Sequence, residues 1–122
     1  MTKEQLKNRT KKFALDVFKF LMKLEKNKAV DVVSFQLFKS SSSVAANYRA
    51  VCRGKSTADF LNKLKIVDEE ADESLFWLEF IQGLEIECDS NELNKMIKEA
   101  DELVAIFSAA IKTIKEKNNI KN

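Results

Sequence analysis

Residues 56–84 read STADFLNKLKIVDEEADESLFWLEFIQGL, and the spacing within them decides the fold. Phe60, Leu64, Val67, Ala71, Leu78 and Ile81 recur at helical steps, not at the strict alternation of a half-buried strand. Ser56 and Thr57 supply capping hydroxyls, and Asp59 places negative charge in the first turn. The pattern runs out at Gly83 or just beyond. A helix of roughly 28 residues is about 42 Å long at 1.5 Å per residue. Such a rod cannot bury its apolar face alone and needs long partners.

The flanking sequence supplies three. Upstream, Val30, Val33, Leu37, Val44, Tyr48 and Val51 form a stripe over residues 29–53, with Gly54 as a stop signal. Before it, Thr2 and Gln5 compose a capping box. Leu6, Phe13, Val17, Phe20, Leu21 and Leu24 follow, with Thr10 filling the gap, and the helix is expected over 3–26, closing near Lys26-Asn27-Lys28. Downstream, Asp89 and Glu92 bracket a cap. Leu93, Met96, Ile97, Ala100, Leu103, Val104, Phe107, Ile111 and Ile114 then line a helix over 90–117. The polar tail Lys117–Asn122 is expected to fray. Short connections between long helices force antiparallel neighbours. The expected fold is therefore all-α, one domain over 1–122, an antiparallel up-and-down four-helix bundle with left-handed packing.

Composition agrees. Of 122 residues, 45% are apolar and 33% charged; there is no proline and there are two glycines, too few turn-formers for an all-β fold. The chain has no histidine, which removes Ser-His-Asp and Cys-His catalysis, His-ligated zinc and the usual di-iron site of helical bundles. Carboxylates share a helix face at Glu70/Glu73 and Glu99/Glu102. Without histidine or a loop of oxygen ligands they are a weak metal signal, and neither metal nor cofactor is expected. Cys52 and Cys88 lie far apart and read as free thiols in a reducing cytoplasm. The opening MTKEQLKNRT has no apolar core, so no signal peptide is expected, and no apolar run approaches the ~20 residues that span a bilayer.

Three features exceed what a bundle requires. Four consecutive serines, Ser40–Ser43, sit mid-helix at a cost in propensity; close approach of a neighbouring helix accounts for them better than a hydroxyl-lined anion site. Apolar residues also lie off the inner seams, notably Phe18, Phe35 and Phe38, together with Phe76, Trp77, Phe80 and Leu84. Contiguous exposed aromatic surface marks an interface, so Phe18, Phe35 and Phe38 are expected to hold copies together in a homo-oligomer. Finally, charge is segregated. Residues 1–65 carry 15 cations against 5 anions, whereas residues 66–105 carry 2 against 13, although the net charge is only +2.

The basic residues Arg49, Arg53, Lys55 and Lys63 gather where the second helix turns into the third. Lys7, Arg9, Lys11, Lys12, Lys19 and Lys23 extend the character along the first. Repeated around an oligomer, such a patch would hold RNA or DNA backbone by shape and charge, and Arg49, Arg53, Lys55, Lys63, Lys11, Lys12 and Lys19 are the candidate contacts. No aromatic stacking platform or sequence-reading motif accompanies them. The acidic run Asp68–Glu73 reads as structural. Glu70 or Glu73 is placed to receive Arg49 or Arg53 in a bidentate, partly buried pair between antiparallel helices.

The stretch Gln36-Leu37…Ser40–Ser43-Val44-Ala45-Ala46-Asn47-Tyr48-Arg49-Ala50 resembles the "QL..S..S(I/V).AN" signature of the 23S rRNA intervening-sequence proteins, also called the four-helix bundle protein family. Arg53, Lys55-Ser56 and Asp59-Phe60 are similar to its "R..S..(D/E)F" continuation. The segments 63–74 and 76–79 look like its acidic third helix, and Glu99–Leu103 fits its fourth. Many members read "ANIAEG" where this chain has Asn47–Cys52, so it looks like an "NYRA" branch. The resemblance implies an antiparallel bundle assembling as a ring-like homopentamer. Members are encoded within insertions in bacterial large-subunit rRNA genes or elsewhere, and most have no established biochemical activity. A related group, the accessory variability proteins of diversity-generating retroelements, is a basic pentamer that binds nucleic acid and a reverse transcriptase. The expected function is accordingly that of a non-enzymatic oligomeric accessory protein on RNA or DNA, with a protein–protein adaptor as the alternative and a carboxylate metalloenzyme the least supported.

Overall fold

Each helix starts where a side-chain oxygen can take up a free backbone N–H. Thr2 Oγ1 accepts from Gln5 N at 3.0 Å while Gln5 Oε1 accepts from Thr2 N at 2.9 Å, which completes a capping box and launches α1 (Lys3–Met22). Asn27 Oδ1 accepts from Val30 N at 3.0 Å ahead of α2 (Lys28–Val51). Ser56 Oγ does the same for Asp59 N ahead of α3 (Thr57–Leu84), and Asp89 Oδ1 for Glu92 N ahead of α4 (Ser90–Lys117). The computed structural model describes residues 1–120, so Lys121 and Asn122 of the polar tail lie outside the described residues.

α1 packs on α2 and α4, α2 on α3, and α3 on α4, which makes an all-α four-helix bundle with successive helices antiparallel. Among the described residues there is no strand. One apolar cluster runs down the middle. Phe13, Val17 and Phe20 of α1 meet Leu37, Val44 and Tyr48 of α2, Leu64, Val67 and Leu78 of α3, and Met96, Leu103 and Phe107 of α4. The Tyr48 and Phe107 rings lie 5.7 Å apart within it.

The helix ends differ from the sequence reading in instructive ways. α1 stops at Met22, short of Lys26, because Asn27 is not the tail of the first helix but the cap of the second. Leu24 still reaches the core from the connecting turn. α2 ends at Val51, and Gly54 holds no left-handed conformation. Its small size serves close approach instead, since a Cβ there would lie 3.2 Å from the Val51 carbonyl oxygen. α3 runs through Gly83, and the left-handed residue that ends it is Glu85, at φ 53°.

The serine run is spent on packing. Ser40 and Ser41 are fully buried. Ser40 Oγ donates to the Leu37 carbonyl and Ser41 Oγ to that of Phe38, while Ser74 Oγ of α3 donates to Ser40 Oγ at 3.0 Å. That hydroxyl pair marks the register of α2 against α3. Among the described residues no buried side-chain nitrogen or oxygen lacks a partner.

Across the α1–α4 seam, Arg9 makes a two-pronged contact with Glu99, Nε to Oε2 at 2.7 Å and Nη2 to Oε1 at 2.6 Å, and Glu102 lies 3.5 Å from Nη2. The Glu99 hydrogen bond is the main cause that raises the Arg9 pKa further. Both side chains are about one-quarter exposed, so solvent screens the pair, and a double-mutant cycle on Arg9→Ala and Glu99→Ala is expected to give a coupling of about 1 kcal/mol. Arg9→Lys keeps the charge but not the fork and should lose more than half of it. Zero coupling would show that the two prongs do not hold this seam.

Candidate functional site

The basic residues fall into three groups. On the α1–α2 face, Lys7, Asn8, Lys11, Ala14, Leu15 and Phe18 line one wall of a groove of about 550 Å³, and Ser42, Ala45, Ala46 and Arg49 line the other. Its charged lining is all cationic. Arg49 is shared with an adjoining concavity of about 340 Å³ lined by Ala46, Ala50, Arg53 and Lys63. Lys7, Lys11, Arg49, Arg53 and Lys63 therefore converge on one end of the α1–α2–α3 surface, and helix geometry explains why. Lys7 and Lys11 are one turn apart on one side of α1, and Arg49 and Arg53 repeat that spacing on α2.

Lys63 is tied at 3.1 Å to Asp59, whose carboxyl is held below its usual range first by that ammonium and then by the Lys55 backbone N–H. Asp59 thus organises the α2–α3 connection and fixes Lys63 at the groove. Lys55 is exposed in that connection but lines neither concavity.

Lys12 and Lys19 belong elsewhere. Lys12 follows Lys11 by about 100° around the helix and bonds Asp16 at 2.6 Å, which raises its pKa. Lys19 lies two turns further along that outer face. Arg9 and Lys23, part of the same basic stretch in sequence, turn toward α4, where Lys23 meets Glu92 at 3.2 Å.

The anticipated pair of Arg49 or Arg53 with Glu70 or Glu73 is not formed. Neither arginine has a carboxylate of a described residue within 4 Å. The cause is register. Counting equally from the Ser40–Ser74 contact puts Lys65, not Glu70, level with Arg49, so Arg49 meets the basic half of α3. Glu70 lies instead near Ser43 and Lys39; burial, followed by repulsion from Glu73, pushes its carboxyl pKa up. Glu73 accepts from Trp77 Nε1 at 3.3 Å within its own helix. The bidentate interhelical arginine pair does exist, but as Arg9 with Glu99. Lys7, absent from the expected contacts, joins the groove; its one available signal was the Lys7–Lys11 spacing in phase with Leu15 and Phe18.

Phe18, Phe35 and Phe38 lie together on the same α1–α2 face, below the cationic end. The Phe18 and Phe38 rings are 4.0 Å apart. Both rings line a second compartment of the groove, of about 650 Å³, with Met22, Val30, Ser34 and Phe35. Phe35 is 59% exposed and Met22 69%.

Little else offers chemistry. Burial is the main cause that pushes the Tyr48 phenol up to about 12, so it stays protonated. Burial likewise raises the Cys88 thiol, and both cysteines are free and half-buried. Among the described residues no three of His, Cys, Asp and Glu come together as a metal cage. No helix there is long and apolar enough to cross a membrane.

The same architecture occurs in a crystal structure of a protein of unknown function from the S23 ribosomal protein family of Bacteroides thetaiotaomicron VPI-5482. That protein is 30% identical, with a TM-score of 0.78 over 92% of this chain and 99% of that one. Comparison with curated proteins finds no match. The family model described as 23S rRNA-intervening sequence protein matches residues 2–109, which reach from the capping box of α1 past Phe107 at the core of α4. On this match, and on four antiparallel helices built as the signature residues of α2 and α3 imply, the chain belongs to the 23S rRNA-intervening sequence protein family.

Proposed function

We propose that the protein is a non-enzymatic accessory bundle of the cytoplasm that assembles as a homopentamer and holds the backbone of structured RNA or DNA on its basic end. The observation that supports this is the convergence of Lys7, Lys11, Arg49, Arg53 and Lys63 on two adjoining concavities whose charged lining residues are all cations. Arg49 and Arg53 are exposed, with no carboxylate of a described residue within 4 Å, and so remain available to phosphate. Guanidinium forks match phosphate oxygens geometrically. A concavity of cations suits recognition of backbone by shape and charge, and a ring would multiply weak contacts by avidity.

Affinity should therefore collapse with salt. For a structured RNA hairpin or a DNA duplex, three to five neutralised phosphates per site correspond to a slope of about −3 to −4.5 in log K against log salt. Titration of a fluorescent hairpin across a salt series checks this; no retention at low salt would end the proposal. An adaptor that takes up another protein, such as a reverse transcriptase, has the exposed apolar faces of α1–α2 and α3 in its favour. Recovery of a stoichiometric protein partner after nuclease treatment, without RNA retention, would favour it.

A further inference from the structure

We propose that the α1–α2 groove of one copy receives the outer aromatic stripe of α3 from a second copy, head to tail. This rests on the oligomeric part of the function proposed above and specifies which surfaces mate. The bundle carries two unlike apolar faces that its own chain leaves open. One is the groove compartment at Phe18, Phe35, Phe38 and Met22. The other is a ridge on α3, where Phe76 is 52% exposed, Phe80 43% and Leu84 43%, with the Phe76 ring 4.9 Å from that of Trp77. A concave face and a convex one on different helices suit a heterologous contact, whereas a self-complementary dimer would use one patch twice.

Height along the bundle matches as well. The Ser40–Ser74 hydroxyl contact fixes one level, and Phe38 and Phe76 lie the same distance from it toward the same end. Phe18 stacks on Phe38, so groove and ridge are level. A rotation about an axis parallel to the helices then brings ridge to groove with no axial shift, the condition for a closed ring instead of a filament.

Charge completes the fit. The exposed residues beside the ridge are acidic, Glu69, Asp72, Glu73 and Glu79. Lys11 precedes Phe18 by two turns, and Glu69 precedes Phe76 by the same two turns on a helix running in the same direction as α1. Ridge in groove, Glu69 faces Lys11 of the next copy. Lys11 is then taken up by the contact, and the cations it leaves to phosphate are Arg49, Arg53 and Lys63, which share the adjoining concavity between α2 and α3.

Sedimentation of the full chain tests this with Phe35→Glu, which spoils only the groove, and Phe80→Glu, which spoils only the ridge. Both sites are exposed, and unchanged helical circular dichroism certifies the fold. Each variant alone is expected to associate at least ~30-fold more weakly than wild type, as for loss of an aromatic anchor. Mixed in equal amounts they should form a species of exactly two chains, one of each, because one intact groove meets one intact ridge. As a second route, Lys11→Glu and Glu69→Lys should each weaken assembly, and combined in one chain they should restore it. Variants that still form the full oligomer, a mixture that never pairs, or a double charge swap without rescue would overturn the proposed contact while the wild-type oligomer stands. A wild-type chain that sediments as a monomer would overturn the oligomeric function as well.

Discussion

Phe107→Ala is expected to lower the unfolding free energy by about 3–5 kcal/mol, a large part of the ~5–15 kcal/mol typical of a domain. Phe107 has no solvent-exposed surface, and its ring lies 5.7 Å from that of Tyr48 at the point where α2 and α4 approach across the core. Truncation removes the transfer energy of the ring and leaves a cavity that four long helices, tied at both ends by caps and turns, cannot collapse to fill. The melting temperature should fall by ~10–20 °C. Val32→Ala is the control. Val32 is 62% exposed, and the same class of change there should stay within about 0.5 kcal/mol. Thermal and urea unfolding followed by helical circular dichroism, at one protein concentration for all variants, gives both numbers. A loss below ~1 kcal/mol at Phe107 would mean that the core is centred elsewhere.

The second large effect concerns nucleic acid. Arg49→Glu combined with Arg53→Glu should weaken retention of a structured RNA hairpin at least ~100-fold and reduce the salt slope by about 2, one for each lost phosphate contact. Both side chains are exposed and free of described carboxylates, so the fold should not suffer. Lys12→Glu combined with Lys19→Glu changes the net charge by the same amount on the outer face of α1. At physiological ionic strength the Debye length is ~8 Å, and charges off the concavities should matter far less. Equal losses from the two pairs would show that only overall charge is felt and that the groove is not the site.

These contrasts show how far the linear order of residues reaches. The capping oxygens of Thr2, Ser56 and Asp89 act within three residues, and the stripes of α2 and α4 need only the helical period, so both are legible along the chain. Asn27 was ambiguous because it stands where one helix ends and the next begins, and either role suits an asparagine; the direction of one Val30 N–H decides it. The clustering of Arg49, Arg53 and Lys63 across a short connection was legible too. The convergence of Lys7 and Lys11 with Arg49 was not, because it depends on how α1 is rotated about its own axis when it docks on α2.

Local sequence by itself thus determined four helices, the caps of three of them, the stripe each turns inward and the segregation of charge, because all of these are set by neighbours within one or two turns. Tertiary structure alone decided which charges meet between helices. The partner of an arginine depends on helix rotation and on register, and the level of α2 against α3 is marked by the hydrogen bond between two serine hydroxyls. A displacement of one turn, about 5.4 Å, exceeds the reach of any hydrogen bond, so Glu70, five residues from the level of Arg49, lies out of its range, while Arg9 meets Glu99 across the separate α1–α4 seam.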